Sequence, residues 1–175
     1  MAGQRLPILP GRLHRIAAAP PVPPQSSNIG PTGAYLVENN MKPSIVVSWL
    51  DLERLERILD RLPAAQANAR DALLSELERA EMVEPWEMPP DVVTMNSRVR
   101  FRFEGSDEDV TMTLSYPKDM KDSGEQLSVL TPVGTALLGL RVGASIAWQR
   151  PGGGTFEATV LEIDYQPERA GELHR

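Results

Sequence analysis

The sequence predicts an α+β protein: a short antiparallel helical hairpin of coiled-coil type, then an antiparallel sheet carrying one short helix. Three observations support this. Leu52, Leu55, Leu59 and Leu62 repeat every three or four residues and end at Pro63, which cannot continue a helix. Apolar and polar residues then alternate through 99–103 and again through 110–116, the period of half-buried strands. Finally, 126–143 reads as a strand, a helix start, a short helix and a glycine-marked exit.

The elements follow in order. Residues 44–47 are a brief extended lead into the first helix. Ser48 followed by Asp51 has the form of a capping box, in which hydroxyl and carboxylate satisfy unpaired N–H groups. A second helix is predicted over 68–82, with Leu73, Leu77 and Ala80 inward and Leu74 beside them. Each arm of about fourteen residues would be roughly 20 Å long. The prolines of 84–90 mark a linker, so the hairpin is expected to project separately from the sheet. Gly105-Ser106-Asp107 makes the turn between the first two sheet strands. Residues 126–130 form a buried strand, Thr131 occupies the N-cap, and Pro132 sits at the first helical position. Val133, Ala136, Leu137 and Leu140 share one helix face, while Gly139 and Gly143 can take the positive φ that turns the chain. Residues 145–149 and 156–165 make a last hairpin about Pro151-Gly152-Gly153-Gly154. There is no internal repeat.

Composition narrows the function classes. A 41% hydrophobic content permits a core, and aromatics at 5% make that core aliphatic. No apolar run approaches the roughly eighteen residues a membrane span needs. The chain has no cysteine, which excludes disulfides, thiolate metal sites and cysteine nucleophiles, and fits a reducing cytoplasm. Residues 1–40 carry Arg5, Arg12 and Arg15 against Glu38, leaving −8 on the remainder of a chain whose net charge is −6. An acidic body of that kind is a poor binder of phosphate backbone, so protein partners are favoured over bare nucleic acid. Residues 1–40 also hold seven of the sixteen prolines and no periodic apolar pattern, which predicts a disordered extension. The patterned region begins at Met41.

Enzymatic chemistry finds little support. Histidine occurs only as His14 and His174, neither in a setting suited to phosphate relay or to activating a serine. Gly152-Gly153-Gly154 lacks the lysine and following helix of a phosphate loop, so a hairpin turn accounts for it. Asp119, Asp122 and Glu125, interrupted by Lys118 and Lys121, read as a solvated loop rather than a metal site. No cofactor is implied. Arg98, Arg100 and Arg102 project from one strand face, either as a basic strip or paired with Glu104 or the acids of the next strand.

Several segments carry a family resemblance: 91–99 (Asp91-Val92-Val93-Thr94-Met95-Asn96-Ser97-Arg98-Val99), the 126–143 block, Pro151-Gly152-Gly153 and 161–168. Over 41–175 the chain resembles the bacterial Gre transcript-cleavage factors, and within them the Rnk subfamily, the regulators of nucleoside diphosphate kinase. The resemblance implies a helical unit at 41–84 and a Gre-type, FKBP-like domain at 91–167 without isomerase activity. It implies docking on bacterial RNA polymerase near the secondary channel, with nucleic acid met only inside that complex, and no membrane. The contact residues carried over are Leu130, Thr131, Pro132 and Val133; Leu130 departs from the acidic or polar residue of Gre factors. Gre factors also carry two carboxylates at a long coiled-coil tip, whereas 63–68 here is Pro-Ala-Ala-Gln-Ala-Asn, which implies binding without cleavage. Two alternatives are control of nucleoside diphosphate kinase, by contact or expression, and an FKBP-like isomerase or chaperone. The latter needs an aromatic pocket, yet Phe101, Phe103, Tyr116, Trp148, Phe156 and Tyr165 are scattered along the sequence.

Overall fold

The computed structural model describes residues 42–149 and 154–174. The extension expected over 1–40 and the Pro151-Gly152-Gly153 turn lie outside them. The described chain is a mixed α+β structure. Strand β1 (Val46–Ser48) leads directly into helix α1 (Trp49–Leu59), and helix α2 (Ala67–Glu78) leads into strand β2 (Glu81–Val83). A second sheet follows from β3 (Arg98–Phe103), β4 (Asp109–Ser115), β5 (Gln126–Ser128), β6 (Ser145–Gln149) and β7 (Thr155–Tyr165). Helix α3 (Pro132–Leu137) lies between β5 and β6 in sequence.

The helices are shorter than the leucine stripes suggest, at eleven and twelve residues, or about 16–18 Å. Glu81 and Met82, expected at the end of the second helix, instead join Val83 in a strand parallel to β1 in the register Val46↔Glu81 to Ser48↔Val83. The Glu81 N–H donates to the Ile45 carbonyl at 2.9 Å. This pairing satisfies backbone groups of β1, and so competes successfully with a further helical turn. The expected linker is likewise ordered: Pro85–Glu87 forms a 3₁₀ turn, with Pro85 and Met88 buried.

The larger sheet has the order β5-β4-β3-β7-β6. It is mixed, not wholly antiparallel as expected. Strand β5 runs parallel to β4, from Thr113↔Gln126 to Ser115↔Ser128. The intervening connection, including the 3₁₀ turn Pro117–Asp119, carries the chain back before it re-enters the sheet. Register shifts along β3 and β7 break the ladder at Arg98/Val99 and Arg100/Phe101, as bulges do.

Nor do the helices project as a separate unit. Leu55, Leu59, Leu73 and Leu77 share one buried cluster with Val93, Phe101, Leu114, Leu137 and Val160. Each such side chain contributes about 1.5–3 kcal/mol by leaving water, so helices and sheet stabilise each other. Leu140, expected on the α3 face, lies beyond the helix yet is fully buried.

Gly139 is a point of close backbone approach. At φ +77° it stands where a Cβ would lie 2.7 Å from Ile45 Cβ and 2.9 Å from the Val46 carbonyl oxygen. Its carbonyl accepts from Val46 N–H at 3.0 Å and its N–H donates to the Val93 carbonyl at 2.8 Å. Substituting Gly139→Ala should therefore cost more than about 2 kcal/mol, combining left-handed strain with steric conflict. Gly143→Ala, at φ +84° with open space around it, should cost only the strain, about 1 kcal/mol. Urea unfolding of both variants checks this; equal losses would remove the packing argument.

Candidate functional site

The 126–140 block builds one wall of a groove. Thr131 caps α3 as the sequence predicts: its Oγ1 accepts from Gly134 N–H at 3.1 Å, and its hydroxyl donates to the Ser128 carbonyl at 2.7 Å. Thr135 adds a bond to the Val129 carbonyl at 2.7 Å. Gly134 lets the helix seat directly on β5, because a Cβ there would lie 2.1 Å from the Ser128 carbonyl oxygen. These contacts fix the strand-to-helix corner and set Leu130 and Pro132 at its outer edge.

Between this corner, α2 and β6 lies a groove of about 460 Å³. Leu130, Pro132, Ala136, Ile146 and Trp148 form its apolar side; Asn68, Ala72 and Ser75 of α2 face it. Of the four residues carried over from the family, Leu130 and Pro132 line the groove. Val133 packs against the core and Thr131 serves the cap. The helix wall was not foreseen as part of the site. Nor was the gathering of aromatic rings: Trp148 stacks on Phe156 at 5.7 Å and lies 6.2 Å from Phe103. Phe103 in turn meets Phe101 edge-on at 5.5 Å. Strands β3, β6 and β7 are adjacent in the sheet, so residues far apart in sequence become neighbours.

At one end of the groove Glu76, 5% exposed, binds Lys42 and Arg79. Arg79 also donates to the Pro43 carbonyl at 2.6 Å. The start of the described chain is thereby tied to α2. By contrast the Arg98, Arg100 and Arg102 row is neutralised within the sheet, by Asp164, by Glu162 with Asp109, and by Asp109 respectively. Among the described residues no group of three or more histidine, aspartate or glutamate side chains is placed to hold a metal, and no helix is long and apolar enough to cross a membrane.

A second polar cluster was only half legible. Ser48 Oγ accepts from Asp51 N–H at 3.1 Å, completing the cap. The Asp51 carboxylate also turns into the protein, 3% exposed, accepting from Tyr116 OH at 2.8 Å and Met95 N–H at 3.4 Å. Nearby, Glu168 accepts from the Thr94 hydroxyl at 2.7 Å, and Arg54 donates to the His174 carbonyl at 2.7 Å. Gln166, 1% exposed, donates to the carbonyls of Pro89 and Val92. The last described segment is thus fastened across the base of α1. Burial pushes the Asp51 carboxyl up, against the lowering effect of the Tyr116 bond. Burial also raises Glu168, against its Thr94 bond, and raises Tyr116 well above the ordinary phenol range.

Because Asp51 and Glu168 are raised above 3.8 and 4.5, the folded state holds protons that the unfolded chain has released. Their stabilising contribution is complete below the ordinary carboxylate range and is lost as pH rises through the raised values. Stability should accordingly fall as pH rises above the ordinary carboxylate range from this source, and Asp51→Asn should flatten that fall. Urea midpoints across the range test it; an unchanged slope would remove Asp51 from the account.

The comparisons with known proteins agree with this geometry. A family model described as "Transcription elongation factor, GreA/GreB, C-term" matches residues 88–165, and one described as "Rnk N-terminus" matches 43–83. The chain is 53% identical over 131 residues to the "Regulator of nucleoside diphosphate kinase" of Escherichia coli strain K12, covering 75% of this chain and 96% of that one. It is 33% identical over 87 residues to the "Transcription elongation factor GreA" of Roseiflexus castenholzii, covering 50% and 55% respectively. Among solved structures, "Prokaryotic transcription elongation factor GreA/GreB from Nitrosomonas europaea" is similar with a TM-score of 0.58 and 53% identity, covering 71% of this chain and all of that one. With the strand-to-helix corner, the sheet order and both matched regions in place, the chain belongs to the GreA/GreB family, in its Rnk group.

Proposed function

We propose that this protein binds bacterial RNA polymerase near its secondary channel and regulates transcription without promoting transcript cleavage. The observation that carries the reading is the groove rimmed by Leu130 and Pro132, whose apolar wall lies within the region matched by the GreA/GreB model and whose facing wall is α2. Leu130, Thr131, Pro132 and Val133 form the contact corner in this reading, Thr131 and Val133 by holding its shape. The larger sheet is taken as FKBP-like, with units at 41–84 and 91–167. The helix pair is taken as a blunt arm packed against the sheet, with only its exposed 63–66 turn as a tip.

The arm argues against cleavage on two physical grounds. Retaining a catalytic magnesium needs hard oxygen ligands at the reaching end, and the turn between the helices, Pro63-Ala64-Ala65-Gln66, has no carboxylate. The helices also extend only about 16–18 Å, too short to enter a deep active centre. A factor of this shape occupies the docking site while adding no ligand to the metal, so it competes with acid-tipped relatives.

A second reading is favoured by one finding, the similarity to the Escherichia coli protein named a regulator of nucleoside diphosphate kinase. Here the same groove would contact that enzyme, or the effect would arise through its expression.

Affinity capture from bacterial lysate separates the readings: polymerase subunits on the column support the first, and the kinase alone supports the second. Leu130→Glu or Pro132→Glu should lower polymerase retention about tenfold by placing a charge in the apolar contact. Thr131→Ala should instead cost about 1 kcal/mol of stability through loss of the cap. In a transcript-cleavage assay the protein should add no cleavage and should reduce that produced by an acid-tipped Gre factor. Cleavage dependent on its own helix pair would overturn the proposal.

A further inference from the structure

Two tryptophans stand on the surface of the β1–β2 unit: Trp49 is 52% exposed and Trp86 69%. The parallel register ends at Ser48↔Val83, so Trp49, the first residue of α1, and Glu84 leave the same end of that small sheet, with Trp86 two residues further on. The turn bearing Trp86 is firmly held. Pro85 is buried, and Met88 packs with Val46, Val83 and Val92 in a small second core. The chain thus buries residues on both sides of Trp86 and turns the indole outward, forgoing one of the largest apolar gains available to a side chain.

The unpaired charge beside Trp86 is acidic. Glu84 and Glu87 flank Trp86, and Glu53 lies one turn along α1 from Trp49 on the same helix face. Glu53 pairs with Arg57, while no ion pair among the described residues engages Glu84 or Glu87.

We propose that the Trp49–Trp86 patch docks an arginine- or lysine-bearing segment of a partner protein. An indole face attracts a guanidinium or ammonium through its quadrupole, and a neighbouring carboxylate supplies a charge-assisted hydrogen bond to the same group. Exposed indoles also suit base stacking or a membrane interface, but the phosphates of either ligand would meet Glu53, Glu84 and Glu87. Tryptophan and arginine dominate the energetics of protein interfaces. A rigid turn reduces the ordering cost of binding. The patch uses none of the Leu130 corner, so its failure would leave the polymerase reading intact.

The test is a titration of the ¹⁵N-labelled full chain with an arginine–alanine peptide at low salt, followed by NMR. Shifts should centre on the Trp49 and Trp86 indoles and on residues 84–87, and a glutamate–alanine peptide should produce none. Trp86→Ala, and separately the Glu84→Gln/Glu87→Gln pair, should each weaken binding about fivefold, with circular dichroism unchanged. Trp148→Ala should leave the affinity as it is. Shifts centred on the acidic loop 119–125, or equal affinity in the variants, would overturn the proposal. A stronger response of the two indoles to a single-stranded oligonucleotide or an anionic phosphatidylserine vesicle would overturn it in favour of nucleic acid or membrane.

Discussion

The backbone crossing at Gly139 is the constraint on which the remaining architecture rests. Here β1, the 92–95 segment and the exit of α3 meet without a side chain between them, joined by the Val46 to Gly139 and Gly139 to Val93 bonds. Val93 N–H closes the same set by donating to the Leu140 carbonyl at 2.8 Å. Because β1 is pinned there, the start of α1 is pinned at Ser48, and Asp51 is carried to Tyr116 and Met95. Strand β2 completes the small sheet against β1 and turns Pro85 and Met88 inward. A chain of local necessities thus converts one close approach into the relative placement of helices and sheet.

The groove inherits its shape from that placement. Helix α2 has few polar anchors of its own: it lacks a side-chain N-cap, and its firmest ties are Leu73, Leu77 and the Glu76 pairs. Glu76 is almost wholly desolvated, so removing both Lys42 and Arg79 would leave a buried charge uncompensated, a larger penalty than loss of an exposed pair. The opposite wall is held by the Thr131 cap and by ring packing behind Trp148. Both walls are therefore set by the fold before any partner arrives, which favours docking without rearrangement.

Local signals in the sequence were reliable and long-range ones were not. Thr131 with Pro132 and the two glycines at positive φ encode structure within one or two turns of chain, and the structure agrees with each; the leucine stripes gave both helices and their buried faces but overran their ends. Strand β2 was invisible because three residues carry no period of their own; they are a strand only because β1 is beside them. Asp51 illustrates the same division. Its N–H partner is three residues away and was legible, whereas its carboxylate partners lie 44 and 65 residues away. Glu168 and Gln166 gave no signal for the same reason. The candidate groove was half legible: Leu130 and Pro132 were carried over from the family resemblance, but the facing α2 wall and the clustered aromatics exist only once the strands are ordered.

Charge shows what kind of partner such a body can approach. The arginines at 57, 70, 79, 98, 100, 102 and 141 are each engaged in an ion pair, and those at 54 and 169 donate to carbonyls. Exposed pairs of this kind add little stability, typically under about 1 kcal/mol each. Their larger consequence is for the field, since cations held against nearby acids project little positive potential. The surplus acids of 41–175 are left to dominate at distance. A basic protein surface is then drawn in and a bare phosphate backbone repelled, with a rate that falls as salt screens the attraction. On the proposed reading, long-range charge selects the class of partner, and the apolar groove, which salt does not screen, would set how long that partner stays.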